Sequence, residues 1–152
     1  MNKTYVVSDL HGRYDLLEQI LNFIDETDEL IYLGDSSDRG PQSYRTLMTC
    51  LMHPRITYLR GNHDQMLYDA LVDNDPWLLI GNGGGQTFFD CMKSPELRFI
   101  INKLNELPYF IKREDKENNK IFYLTHAGFR THKIKELDTM STREKQDILL
   151  WD

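Results

Sequence analysis

The chain has 152 residues, 40% of them hydrophobic, with 18 basic against 24 acidic side chains and a formal charge of −6. That is enough apolar chain for one domain with its own core, it excludes a largely disordered chain, and its acidic balance speaks against a nucleic-acid or anionic-membrane binder. The two cysteines, Cys50 and Cys91, have neither the number nor the spacing of a disulfide framework or a zinc ribbon, and neither a leader-like segment nor a long apolar span occurs. A reduced, cytoplasmic protein is expected, with its oligomeric state left open.

Taken in chain order, Tyr5-Val6-Val7 is a short β-branched run too short for a helix, and Leu16, Leu17, Ile20, Leu21 and Ile24 follow as one helical stripe. Leu30 to Leu33 is a second short apolar run, followed by a stripe of Tyr44, Leu47, Met48 and Leu51. Ile56 to Leu59 is a third, followed by Met66, Leu67, Ala70 and Leu71. After the glycine cluster GNGGGQT at 81–87 comes a fourth stripe, Leu97, Ile100, Ile101 and Leu104. The charged run KREDKENNK at 112–120 lies between YFI and IFYL and reads as a solvated turn between strands. The last residues, STREKQDILLWD, carry a capping box of Ser141 and Glu144 opening a helix. The expectation is an α/β fold in which Tyr5–Val7, Leu30–Leu33, Ile56–Leu59 and Ile121–Leu124 are strands buried on both faces. The strand–helix–strand order makes them parallel, with their C-terminal ends on one rim.

What leaves those ends is polar and metal-competent: Asp9 and His11, then Asp35, Asp38 and Arg39, then Asn62, His63 and Asp64, and last His126. Carboxylates and imidazoles together suit Mn²⁺, Fe²⁺ or Zn²⁺ better than Ca²⁺. Two such ions about 3.5–4 Å apart can clamp a phosphoryl oxygen and lower the pKa of bound water from about 15.7 toward 7. Neither a nucleophile elbow nor a phosphate-binding glycine loop of the G-x-x-x-x-G-K type occurs. Singly, Asp9, Asn62 and Asp64 read as helix caps or turn formers and Arg39 as a surface arginine. Jointly, so many costly polar groups at one rim are explained only by a metal site.

The succession SDLHG, GDSSDRG, GNHD and THAG resembles the phosphoprotein phosphatase branch of the calcineurin-like metallophosphoesterases, over essentially the whole chain and in the family's order. WLLIGNGGGQTF resembles a W-x-x-x-G-G-x-x-T stretch of bacterial and phage members. The resemblance implies a four-layer αββα sandwich of two mixed sheets flanked by helices. It implies two divalent ions, most simply Mn²⁺, with Fe or Zn as alternatives. Asp9 and His11 would hold the first ion, Asp35 would bridge, and Asn62 and His126 would hold the second. His63 would donate a proton to the leaving oxygen, Asp38 would orient its imidazole, and Arg39 and Asn62 would bind the phosphate. A carboxylate partner keeps an imidazole protonated, and an arginine fork matches two phosphate oxygens. Hydrolysis would proceed by direct attack of a hydroxide bridging the two ions.

Serine/threonine protein phosphatase activity on a phosphoprotein is the activity implied first. The alternatives are a symmetrical dinucleoside polyphosphate (diadenosine tetraphosphate) hydrolase, or a non-catalytic binding module. Asp38 favours the first, since the nucleotide hydrolases often have alanine in that position. The family supplies a further histidine and a second arginine downstream of its HAG motif, and neither is present. Residues 1–152 are therefore expected to be the N-terminal portion of one metallophosphoesterase domain, with its C-terminal part missing. His53, before Pro54, reads as a helix C-terminal residue favoured by the dipole, and His132 as a residue of a solvated turn.

Overall fold

The computed structural model describes residues 3–116, 118–128 and 131–151, apart from the side chains of 131–133. Three strands, β1 (Thr4–Val7), β2 (Glu29–Tyr32) and β3 (Ile56–Tyr58), form a parallel sheet in the order β1-β2-β3. In register, Val6 lies opposite Ile31, and Tyr32 opposite Tyr58. Between and after them come α1 (Tyr14–Phe23), α2 (Ser43–Met52), α3 (Asn62–Asp73), α4 (Trp77–Gly81), α5 (Gly85–Lys93) and α6 (Leu97–Glu106). The hairpin of β4 (Phe110–Asp115) and β5 (Lys120–Thr125) follows, and after it α7 (Thr142–Leu149).

The alternation along β2 decides the layering. Leu30 and Tyr32 point into a large cluster with Leu17, Leu47, Met66, Leu67, Phe88, Ile100 and Leu104 from the helices. Ile31, between them, points the other way, to Leu59, Ile111 of β4 and Leu124 of β5. Successive side chains of a strand face opposite sides, so the central strand is buried on both, between a helical layer and the hairpin. The four helical stripes read from the sequence are α1, α2, α3 and α6, each with its apolar face inward. Helix α7 begins at the capping box, with Ser141 N–H donating to Glu144 Oε2 at 2.8 Å and Glu144 N–H to Ser141 Oγ at 3.3 Å. Its end meets the hairpin where Ala127 N–H donates to the Leu149 carbonyl at 2.9 Å.

Several expectations are corrected. The run Ile121–Leu124 is neither parallel to the others nor buried on both faces: it pairs antiparallel with β4, and Ile121 and Phe122 are 55% and 49% exposed. Only four residues separate β4 from β5, far too few for the crossover that parallel strands need. Val6 is likewise 50% exposed, so β1 is buried on one face only. Each sheet, among the described residues, has a single direction of pairing. The stretch around the glycine cluster forms two helices, α4 and α5, on either side of a turn at 82–84. His53 does end α2, with its Nδ1 3.3 Å from the Arg55 backbone nitrogen, while partial burial and Arg55 lower its imidazole pKa, a direction opposed to the dipole-favoured cation expected there. His132 lies outside the described side chains. Among the described residues, no helix is long and apolar enough to cross a membrane.

Packing of this kind has a direct test in urea or thermal unfolding. Leu47→Ala, at a fully buried position of the large cluster, is expected to cost about 2–5 kcal/mol. Met52→Ala, 63% exposed on the same helix, is expected to change stability by about 0.5 kcal/mol or less.

Candidate active site

The chain turns sharply beyond each strand of the parallel sheet; Asp9, His11, Asp35, Asp38 and Arg39 sit in those turns, and Asn62, His63 and Asp64 on the first turn of α3. Asp9, His11, Asp35, Asp38 and Arg39 all adopt positive φ, between +42° and +72°. A left-handed backbone costs a residue bearing a β-carbon about 1–3 kcal/mol, and it persists only where its surroundings over-determine it. The strain brings these side chains together. Glycine is obligatory at one point of closest approach: a β-carbon on Gly61 would lie 2.1 Å from Asp35 Oδ1.

Asp35 occupies the centre and is nearly fully buried. One carboxylate oxygen, Oδ1, accepts from the backbone N–H of His63 at 2.9 Å. The other, Oδ2, lies 3.7 Å from His11 Nε2 and 3.6 Å from His126 Nε2. Burial raises its pKa, opposed by the fields of His126, His63 and His11 and by the N–H of His63. Asp64 stands behind it, accepting from the backbone N–H of Asp35 at 3.0 Å and of Gly61 at 2.8 Å. It thereby satisfies the N-terminus of α3, which is the cap reading of that residue, and it also fixes the Asp35 turn.

The imidazoles fall into two kinds by the partner of Nδ1. His11 Nδ1 lies 2.9 Å from the Ser37 carbonyl and His126 Nδ1 2.7 Å from that of Leu33. Both backbone oxygens can only accept, so Nδ1 carries the proton and Nε2 presents a lone pair inward. His63 Nδ1 instead faces the buried Asp38 carboxylate at 2.7 Å. His126 Nε2 lies 3.1 Å from Asn62 Oδ1 as well as near Asp35, an arrangement of acceptors against acceptors that a cation among them resolves. His126 reaches this rim although β5 belongs to the hairpin, because the hairpin packs on the open face of β2.

Two sets of ligand atoms, each within 4.8 Å of one another, share Asp35: Asp9, Asp35 and His126, and His11, Asp35 and His63. Mixed carboxylate and imidazole donors around one shared carboxylate fit a pair of divalent transition-metal ions. Asp9 and His11, expected at the first ion, are also close, with Asp9 Oδ1 3.9 Å from His11 Nε2 and that nitrogen 3.7 Å from Asp35 Oδ2.

Arg39 spans the mouth. Its Nη2 donates to His63 Nε2 at 2.8 Å and its Nη1 to His11 Nε2 at 3.1 Å. The turn between α4 and α5 holds it: Arg39 N–H donates to the Gly83 carbonyl at 3.2 Å and Nε to that of Asn82 at 3.4 Å. A β-carbon on the next residue, Gly84, would lie 2.7 Å from Asp38 Oδ2. The glycine cluster therefore backs both Arg39 and the Asp38–His63 pair, a role its lack of a phosphate-loop pattern concealed.

Comparison with known proteins agrees with this geometry. Residues 3–151 match the family model described as calcineurin-like phosphoesterase. The chain is 36% identical over 132 residues to serine/threonine-protein phosphatase 2 of Escherichia coli (strain K12), covering 82% of this chain and 58% of that protein. It is 31% identical over 133 residues to the symmetrical bis(5'-nucleosyl)-tetraphosphatase of Neisseria meningitidis serogroup A, covering 82% and 42%. In fold it is similar to a metallophosphoesterase from Sphaerobacter thermophilus, with a TM-score of 0.51 at 22% identity over 74% of this chain and 43% of that one. The chain thus spans about half the length of these relatives. A rim of carboxylates and imidazoles around a shared aspartate, on a sheet of this topology and within a family match that runs almost end to end, places the chain in the calcineurin-like phosphoesterase family.

Proposed function

We propose that the chain is a metal-dependent phosphatase that hydrolyses phosphomonoesters, with phosphoserine and phosphothreonine in proteins as its substrate class. Within residues 1–152, Asp9, His11, Asp35, Asn62 and His126 would hold two divalent ions, of which manganese suits the mixed oxygen and nitrogen donors. Bound there, the ions would polarise the phosphoryl oxygens and supply hydroxide near neutral pH. Arg39 is aimed by its own backbone and by the Asn82–Gly83 carbonyls, and its fork would take two oxygens of the phosphoryl group. With Arg39 turned to the phosphoryl group, His63 Nε2, which accepts from Arg39 Nη2 in this structure, would be free to carry a proton and give it to the departing oxygen. Asp38 would hold the ring in place through Nδ1 and stabilise its charged, proton-donating form.

The observation that carries the choice of substrate is the buried Asp38–His63 pair, at 2.7 Å. An alkoxide leaving from a serine or threonine ester is a strong base and gains much from a proton donor. A nucleotide leaving from a phosphoanhydride is a weak base and gains little. The identity to a bis(5'-nucleosyl)-tetraphosphatase makes dinucleoside tetraphosphate hydrolysis the second reading. Free, buried thiols at Cys50 and Cys91 accord with a cytoplasmic setting.

Hydrolysis of p-nitrophenyl phosphate, with and without added Mn²⁺, tests the reaction class. Turnover is expected only with the ion; on a phosphothreonine peptide, whose alkoxide needs a proton, His63→Asn is expected to lower kcat by about 10²–10⁴-fold, with a much smaller loss on the p-nitrophenyl ester. Turnover that survives chelation, or peptide hydrolysis that is indifferent to His63, would refute the reading. A phosphothreonine peptide is expected to give a higher kcat/KM than a dinucleoside tetraphosphate, and the reverse order would favour the second reading. Gly84→Ala, whose methyl would lie 2.5 Å from the Leu79 side chain and 2.7 Å from Asp38 Oδ2, is expected to lower kcat by about 10-fold or more through displacement of Asp38. Gly81→Ala, with nothing within 4 Å of its added carbon, is expected to keep wild-type kcat.

A further inference from the structure

Beneath the converging carboxylates and imidazoles lies a pair of tyrosines. Tyr32 of β2 and Tyr58 of β3 are register partners, and their rings meet edge to face with centroids 5.3 Å apart. Both are buried, and both place a hydroxyl under the turns that carry the site. The Tyr32 hydroxyl accepts from the backbone N–H of Leu10, between Asp9 and His11, at 3.0 Å and lies 3.5 Å from the Asp35 carbonyl. The Tyr58 hydroxyl donates to Asp64 Oδ1 at 2.5 Å and accepts from the backbone N–H of Ser36 at 3.3 Å. Asp64 passes that anchor on, through its other oxygen, to the backbone N–H of Asp35 at 3.0 Å.

These contacts meet the backbone beside its strained positions: at Leu10, between Asp9 (φ +54°) and His11 (φ +42°), and at Asp35 (φ +61°) and Ser36. Burial raises the pKa of both phenols, so each stays a neutral hydroxyl that can donate and accept. Phenylalanine at either position would keep the ring contact and the apolar packing. It would leave the Leu10 N–H, or the Ser36 N–H and an Asp64 oxygen, one partner short. The sheet needs only the rings, so the hydroxyls serve the turns above it.

We infer that Tyr32 and Tyr58 are positioning residues whose hydroxyls lock the Asp9–His11 turn to the Asp35–Ser36 turn and thereby set the affinity of the site for divalent cations. The inference rests on the reading of these turns as a divalent-metal site. Neither tyrosine touches metal or substrate; each acts through the backbone that carries the ligands.

Titration calorimetry of Mn²⁺ into the wild type, Tyr32→Phe and Tyr58→Phe tests it. Tyr44→Phe is the control, since its hydroxyl bonds only Ser94 and Glu96 far along the chain from the site turns. Both site variants are expected to bind Mn²⁺ about 10- to 100-fold more weakly, the range found when groups that orient metal ligands are removed, while Tyr44→Phe keeps wild-type affinity. Thermal unfolding in EDTA, run alongside, separates the two roles, because a merely structural tyrosine would lower the midpoint and leave the affinity of the folded protein unchanged. If Tyr58→Phe fails to fold, Tyr32→Phe decides, because its hydroxyl holds no buried charge. Wild-type affinity in the folded site variants would overturn the inference and leave the metal site standing. No Mn²⁺ binding by the wild type would overturn the metal reading itself, and the inference with it.

Discussion

A buried carboxylate with nothing to neutralise it is among the costliest groups a small domain can hold, and this domain is arranged around one. Asp35 lies at the end of the central strand, almost fully buried, with two imidazole nitrogens turned toward one oxygen and a backbone N–H on the other. Its raised pKa expresses the cost of burial. The rest of the structure is legible as the means of tolerating that cost: glycine at the point of closest approach, Asp64 tying down the turn from behind, and two sets of ligand atoms that meet only at this residue. A divalent pair would convert the liability into the main cohesive force of the rim.

The architecture delivers these groups because a parallel sheet points every strand the same way. β1, β2 and β3 place Asp9, Asp35 and Asn62 at one edge without any side chain having to reach far. The hairpin supplies His126 from the opposite layer, and its packing against Ile31 and Leu59 makes that delivery depend on the core between the sheets. Helices α4 and α5 contribute through backbone carbonyls that hold Arg39 and through glycines that let Asp38 stand close. Positioning here is mostly backbone work, which would suit the proposed hydrolysis if its acceleration rests on charge held in place.

Much of this was readable in the sequence. Apolar runs of three or four residues that end abruptly in Asp, His, Asn and Arg announce strands aimed at a site, and the helical stripes of α1, α2, α3 and α6 follow the 3.6-residue period plainly. The direction of Ile121–Leu124 was not readable from apolarity, since a hairpin strand with its apolar residues outward has the same composition as a buried one. The short connection, with Asn119 in the left-handed region at φ +51°, was the signal for an antiparallel pair. Helices α4 and α5 were hidden because glycine is a poor helix former, and only the contacts of their turn with Arg39 and Asp38 give those glycines a purpose. The tyrosines were hidden differently. In an apolar run an aromatic reads as strand propensity, and the parallel spacing of YLGD and YLRG gains meaning only once β2 and β3 are in register.

If Asp35 joins two metal positions, electron paramagnetic resonance of the Mn²⁺-loaded protein will read the coupling between them. The wild type is expected to bind two ions per chain and to show the multiline spectrum of a spin-coupled pair, and Asp35→Asn, which keeps the shape and removes the charge, is expected to lose that coupling. Isolated six-line Mn²⁺ signals in the wild type, or coupling that survives Asp35→Asn, would contradict the account.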